Sequence, residues 1–327
     1  MADIRERLGH EVLIIQGVMD EALRAQGFAD PLAQLNLTEP EVVSSAHQLY
    51  RIAGADCAIT NTAGATSARL APAGLAGEVA AINEQGVRLA REEEYPHVLA
   101  RVTPCGVAVE AGSGACAIVE RPAGAAGTDA PAAPGDASLE GQGWQQGFAV
   151  AVEQYAEQIA ALASAAPDAI LLTGFTSADD ALAACLAARR VTALPVLASM
   201  TVAAGDGVAD EATLAEALVA LARAGVDAVG CDGLAPGTSA TVLADVRARV
   251  ALPLFALPLV TPPAADSLRL PRGRAHDQVA DRFAAQCLDL VRAGACAVGS
   301  SGGSTPAATG ALYAEVGGVA LDEGDAE

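Results

Sequence analysis

Residues 169–202 read AILLTGFTSADDALAACLAARRVTALPVLASMTV, and this stretch has the pattern of a complete strand–helix–strand unit. Continuous apolar runs lie at 169–174 and 195–202, and an alanine-rich segment with helical spacing of its apolar residues joins them. Two buried strands joined by an amphipathic helix are typical of parallel sheets, because the crossover helix covers one face of the sheet. This unit therefore predicts an α/β fold.

The same alternation of apolar runs and amphipathic segments extends along the whole chain. Eight short apolar runs lie at residues 11–17, 57–61, 97–104, 169–174, 195–202, 228–233, 253–260 and 295–301. Eight strand–helix units of this kind predict a TIM barrel, that is, a (β/α)8 barrel, with residues 1–327 as a single domain. The alternative is an open, doubly wound sheet. The chain carries no G-x-G-x-x-G motif after its first run, which argues against a dinucleotide-binding version of that alternative.

Composition limits the classes of partner. The chain has 327 residues and a net charge of −21, and its 19 basic residues are all arginine. A surface of this sign repels phosphate, so we expect neither nucleic acid nor an anionic membrane as a partner. The N-terminal residues are polar and no apolar run is long enough to span a bilayer. Together with seven dispersed cysteines, these features predict a cytoplasmic protein with reduced thiols.

Two segments depart from the strand–helix pattern. Residues 112–143 are rich in Gly, Ala and Pro, and this composition predicts a flexible, low-complexity insertion after the third strand. The insertion is either a lid or a simple spacer. A basic cluster of Arg269, Arg272 and Arg274 follows the seventh strand. It is either a solvated turn or a contact for an anionic group or an acidic partner.

Several motifs resemble one family. The chain reads QGVMD at 16–20, LNLTEPEVV at 35–43, AGAD at 53–56, TNTAGA at 60–65 and LPVLASMT at 194–201. This set, spread over roughly residues 12–312, resembles the zinc-dependent homocysteine S-methyltransferase family. The resemblance implies a (β/α)8 barrel, a small-molecule substrate and methyl transfer. It also places His47 on a helix, where we expect it to pack or to form a hydrogen bond.

The resemblance breaks down at the residues that would bind metal. In the family, three cysteine thiolates bind zinc, and zinc in turn binds the sulfur of homocysteine and holds it as a thiolate. The corresponding positions here are Gly233, Ser301 and Gly302. A serine hydroxyl is a poor zinc ligand and glycine has no side chain, so the family's zinc is not expected. The alternative is a rebuilt site of Cys105, Cys231 and Asp232, which assumes that Cys231 faces the barrel interior.

Substrate-binding candidates come from the predicted carboxyl ends of the strands, which we call the mouth. The family's glutamate after strand four is replaced in the run Leu172-Thr173-Gly174, and Gln16 replaces a second acid. The candidates are Gln16, Met19, Asn61, Thr62, Thr173, Ser199, Asp232, Ser300 and Ser301. This set predicts a small, neutral mouth with Asp232 as its single carboxylate, and it assigns no catalytic residue.

Three functions fit these observations. The first is methyl transfer without a zinc thiolate site, involving a small methylated donor or a corrinoid carrier protein. The second is a catalytically inactive barrel that binds a ligand or regulates an active paralogue. The third is zinc-dependent homocysteine methyl transfer through the rebuilt site.

Overall fold

Eight parallel strands form the barrel. The computed structural model describes residues 3–109, 139–202, 211–260 and 272–319. The strands are β1 Leu13–Ile14, β2 Cys57–Ile59, β3 His97–Val102, β4 Ala169–Phe175, β5 Val196–Met200, β6 Ala228–Asp232, β7 Leu254–Leu257 and β8 Ala295–Val298. They pair in the order β1-β8-β7-β6-β5-β4-β3-β2, and a parallel bridge between Ile15 and Cys57 brings β1 beside β2. The barrel prediction is confirmed, and the doubly wound alternative is wrong because an open sheet leaves its first and last strands apart.

Helices alternate with the strands. They are α1 Ile4–Arg7, α2 Asp20–Ala25, α3 Leu35–Thr38, α4 Pro40–Ile52, α5 Ser67–Leu70, α6 Val79–Glu92, α7 Leu139–Ser164, α8 Ala178–Val191, α9 Glu211–Arg223, α10 Pro236–Arg247, α11 Arg272–Arg292 and α12 Pro306–Val316. Helix α8 shows why they form: the Ser177 side chain accepts a hydrogen bond from the N–H of Asp180, and arginines occupy the last turn. Such a cap and charge distribution satisfy free backbone groups and the helix dipole.

Two hydrophobic layers follow from the alternation of side chains along each strand. The barrel interior holds residues such as Leu99, Leu171 and Leu197. Their neighbours Ala100 and Leu172 lie in the outer layer between strands and helices. The next interior positions towards the carboxyl ends are therefore residues 101, 173 and 199, and these positions begin the mouth.

The two unusual segments lie mostly outside the described residues. Residues 112–138 of the predicted insertion are among them, and α7 begins at Leu139. Arg269 and the side chains of Arg272 and Arg274 are outside the description as well. None of the helices in the described ranges combines the length and the apolar character that a membrane crossing requires.

Candidate functional site

An ion pair between Arg101 and Asp20 lies at the mouth. Arg101 is the one arginine within the eight strands, and its Nη1 donates to both carboxylate oxygens of Asp20, at 2.9 and 3.1 Å. Its Nε donates to Thr173 Oγ1 at 3.2 Å. The side chains of Arg101 and Asp20 are 13% and 20% exposed, so solvent screens the pair less than at an open surface. Asp20 is the first residue of α2, shortly after β1, and Arg101 comes from β3.

A buried carboxyl group lies beside this ion pair. Asp232, at the end of β6, has Oδ1 2.7 Å from Ser199 Oγ, and its Oδ2 accepts a hydrogen bond from the N–H of Gly174 at 2.9 Å. Burial raises the pKa of Asp232, while the two hydrogen bonds and the charge of Arg101 act in the opposite direction. Because burial has the largest effect, Asp232 favours its neutral form more than an ordinary aspartate does.

The hydrogen bonds of Ser199 are compatible with a neutral Asp232. Ser199 Oγ lies 3.1 Å from the carbonyl oxygen of Leu172 as well as 2.7 Å from Asp232 Oδ1. A hydroxyl group has one proton to donate. Both contacts are satisfied when a protonated Asp232 donates to Ser199 and Ser199 donates to Leu172. We call Asp20, Arg101, Thr173, Ser199 and Asp232 the mouth cluster.

A second polar network lies beside the mouth, towards α4. His47 Nδ1 is 2.9 Å from Gln16 Oε1, which accepts the hydrogen bond. Full burial lowers the pKa of His47 to about 3, so its ring is neutral. Ser304 Oγ links Tyr50 and Ser300, at 3.0 and 2.8 Å. The hydrogen-bonding role expected for His47 is confirmed, and Gln16 is buried against α4.

Of the remaining candidates, three are engaged within the protein and the fourth, Ser301, is buried. Met19 packs in a small apolar cluster beside the barrel. The Asn61 amide donates to Leu32 O and Asn36 Oδ1, both at 3.0 Å. Thr62 Oγ1 donates to the carbonyl oxygen of Arg101 at 2.6 Å. Ser301 Oγ is buried without a hydrogen-bond partner among the described residues. Of the nine candidates, Thr173, Ser199 and Asp232 come together in the mouth cluster.

The expectation of a neutral mouth with Asp232 as its single carboxylate is wrong. Arg101 and Asp20 bring a positive and a negative charge to the same place. The sequence carried a signal for Arg101: it lies two residues after Leu99, within the apolar run 97–104. A charged residue at an inward-facing strand position marks a functional candidate, because burying it without a partner is costly.

The residues at the three proposed zinc positions do not fit a site of three thiolates. Gly233 follows β6 with φ of +68°, and a Cβ atom there would lie 2.7 Å from Thr201 Oγ1. A Cβ atom on Gly302 would lie 2.9 Å from Leu259 Cδ2 and 3.2 Å from Glu21 Oε1. Ser301 offers only a hydroxyl oxygen. Sulfur is therefore absent from all three positions, and neighbouring atoms crowd the space beside two of them.

The assumption behind the rebuilt zinc site is also wrong. Cys231 packs in the outer layer, as does Cys105, whereas Asp232 faces the interior. An inward-facing Cys231 would follow from strand alternation if Gly233 faced the interior as part of β6. Gly233 instead lies beyond β6 in a left-handed conformation, where that alternation no longer holds. In the described ranges, no three His, Cys, Asp or Glu side chains are grouped as a metal site would require.

The fold and the mouth cluster place the chain among TIM barrels that carry polar groups at the carboxyl ends of their strands, where barrels of this class have their sites. The family model for homocysteine S-methyltransferase matches residues 13–316, so the chain belongs to the homocysteine S-methyltransferase family. The family resemblance of the sequence motifs is thereby confirmed.

Solved structures with the same fold include the homocysteine methyltransferase MmuM from Escherichia coli. Its oxidized form is 21% identical with a TM-score of 0.66, and the match covers 93% of this chain and 95% of that one. Its metallated form is 21% identical with a TM-score of 0.65, with 93% and 96% covered. At this identity the similarity establishes the fold alone. No curated protein sequence matches the chain.

Proposed function

We propose that the chain binds a small methylated molecule at the mouth and takes part in the transfer of its methyl group without a zinc-bound thiolate. The observation that carries the proposal is the mouth cluster, in which a charged pair, a buried carboxyl group and two hydroxyl groups face the barrel interior. Family membership supplies the reaction type. The acceptor in this proposal is a thiol or the reduced corrinoid of a partner protein.

The contacts of the mouth cluster support binding of a polar ligand. Arg101 and Asp20 offer opposite charges at one place, and Asp232 adds a carboxyl group that is 6% exposed. Ligand sites combine apolar walls with a few precisely held polar groups, and the interior layer beneath the cluster is apolar. Each polar group is held by a hydrogen bond to another element, so the cluster is ordered before a ligand arrives.

A second candidate function is ligand binding without turnover, in a regulatory role beside an active paralogue. The observation that favours it is the identity of Gly233, Ser301 and Gly302, which supply no thiolate to activate an acceptor thiol. Both functions use the same mouth, and they differ in whether a methyl group leaves the ligand.

The test follows the methyl group directly. Protein purified without a metal-affinity tag and treated with a chelator is mixed with methyl-labelled glycine betaine or choline, and with homocysteine or a reduced corrinoid as acceptor. We expect labelled acceptor to form without added zinc. Binding without transfer favours the second candidate. Transfer that depends on added zinc, or the absence of both binding and transfer, overturns the proposal.

A pair of variants shows whether the mouth is used. Thr173→Phe places a ring where the small inward-facing side chain of β4 lies, and we expect it to abolish binding. Leu186→Phe changes an exposed residue of α8, 36% accessible, and is the matched control. Equal binding by both variants would place the ligand elsewhere on the protein.

A further inference from the structure

One nitrogen of Arg101, Nη2, forms no hydrogen bond with any described residue. Its Nε and Nη1 are held by Thr173 and Asp20, whereas its Nη2 has no hydrogen bond to any residue in the described ranges. A guanidinium group has five N–H donors in a planar fork, and the two on Nη2 can donate to a ligand. Asp20 and Thr173 thus orient Arg101 and leave part of its fork free.

We propose that the free side of Arg101 binds the carboxylate of the small molecule that occupies the mouth. This inference rests on the proposed function, since it names the chemical group by which that ligand is held. Nη2 has two N–H donors, and a carboxylate accepts such donors in charge-assisted hydrogen bonds. Arg101 is a binding residue in this arrangement, and Asp20 and Thr173 position it.

The surrounding charges favour a carboxylate over a more highly charged anion. Asp20 already balances part of the charge of Arg101, and Glu21 lies nearby, where it accepts a hydrogen bond from the N–H of Gly303 at 2.6 Å. A doubly charged phosphate group would be repelled by these two acids. Burial raises the pKa of Asp232, so this carboxyl group adds less repulsion to a single negative charge than an exposed aspartate would.

A purely structural ion pair makes a different prediction. If Arg101 serves only to hold β3 against the start of α2 through its ion pair with Asp20, replacing Arg101 lowers stability and changes the affinity for all ligands alike. A carboxylate-binding role instead separates ligands that differ only in that group. The selectivity between matched ligands is therefore the readout that distinguishes the two roles.

Three probes test the inference by calorimetry with the full chain. Glycine betaine has a carboxylate and a trimethylammonium group, choline replaces the carboxylate with an alcohol, and glycine has the carboxylate without the methyl groups. We expect glycine betaine to bind at least about tenfold more tightly than choline, a difference of about 1.4 kcal/mol. Arg101→Met should remove this preference.

Two further variants keep the test decisive. Asp20→Asn combined with Arg101→Met removes both charges, so the protein folds without an unpaired buried carboxylate and should also lose the preference. Arg91→Met is the matched control, because Arg91 forms a similar ion pair with Asp168 at 2.8 Å, beside the amino-terminal ends of β3 and β4. It should keep the preference.

The results for the three probes distinguish failure of the inference from failure of the proposed function. Equal affinity for glycine betaine and choline, or a preference that survives in both Arg101 variants, overturns the inference and leaves the proposed function standing. Binding of glycine through Arg101 without binding of either methylated probe supports the inference and overturns the proposed function. Failure of all three probes to bind overturns both.

Discussion

Asp232→Asn tests the protonation state of the mouth. In the variant, the amide nitrogen donates to Ser199 Oγ and the amide oxygen accepts from the N–H of Gly174, as a protonated Asp232 does. Where Asp232 is protonated, the substitution should change stability by no more than about 0.5 kcal/mol. Asp232→Ala removes the acceptor of Gly174 and should cost about 1–3 kcal/mol.

The raised pKa of Asp232 also predicts how the stability difference between Asp232→Asn and the parent protein changes with pH. Burial raises the pKa of Asp232 in the folded state, so the folded protein holds this proton more tightly than the unfolded chain. The resulting stabilisation is complete below the ordinary aspartate pKa and is lost as pH rises through the raised value. The Asn variant lacks this loss, so its stability relative to the parent protein should increase from acidic to alkaline pH.

Thermal unfolding of the parent protein and both variants, from about pH 4 to about pH 9, measures these differences. At an unfolding entropy of about 2.1 cal/mol/K per residue, a change of 1 kcal/mol corresponds to roughly 1–2 °C in the melting temperature of a chain of this length. The infrared band of a protonated carboxyl group should also disappear in Asp232→Asn. A loss of about 1.5–3 kcal/mol in Asp232→Asn at neutral and alkaline pH would refute the reasoning, because it would indicate an ionised carboxylate with two charge-assisted hydrogen bonds.

Three further predictions use other parts of the barrel. A Cβ atom on Gly17 would overlap Ser304 Oγ, so Gly17→Ala should destabilise the protein by at least about 1–3 kcal/mol in chemical denaturation. Gly237→Ala, in helix α10 with no atom within 4 Å of the added carbon, should change stability by no more than about 1 kcal/mol, and an equal loss would contradict the packing argument. Burial raises the pKa of the Cys185 thiol to about 12, so alkylation at neutral pH should label it only after unfolding, and rapid labelling of the native protein would show an open structure. Because burial lowers the pKa of His47 to about 3, its ring should stay neutral by NMR between about pH 5 and about pH 8, and titration in that range would place it in contact with water.

The barrel was predictable from local patterns because buried parallel strands are continuous apolar runs. The run at 57–61 contains β2 Cys57–Ile59, and the run at 228–233 contains β6 Ala228–Asp232. Most of the runs are longer than their strands, in part because residues just past the carboxyl ends of several strands are also buried. Thr60 and Asn61 are examples, with 1% and 3% exposure.

The candidate site was only partly predictable because its contacts join distant residues. The pair of Arg101 and Asp20 spans 81 positions, and no local pattern shows that the start of α2 reaches β3. The orientation of Cys231 and Asp232 depends on where β6 ends, which Gly233 determines through its positive φ. Gln16 was expected to line the mouth, and its contact with His47 depends on how α4 packs against β1.

The central claim is that the mouth works without a zinc thiolate site, and metal content tests it most directly. The protein should be purified without added chelator and without a metal-affinity tag, and its zinc measured by elemental analysis against protein concentration. The account predicts no stoichiometric zinc, because Gly233, Ser301 and Gly302 supply no thiolate. About one zinc per chain would contradict it.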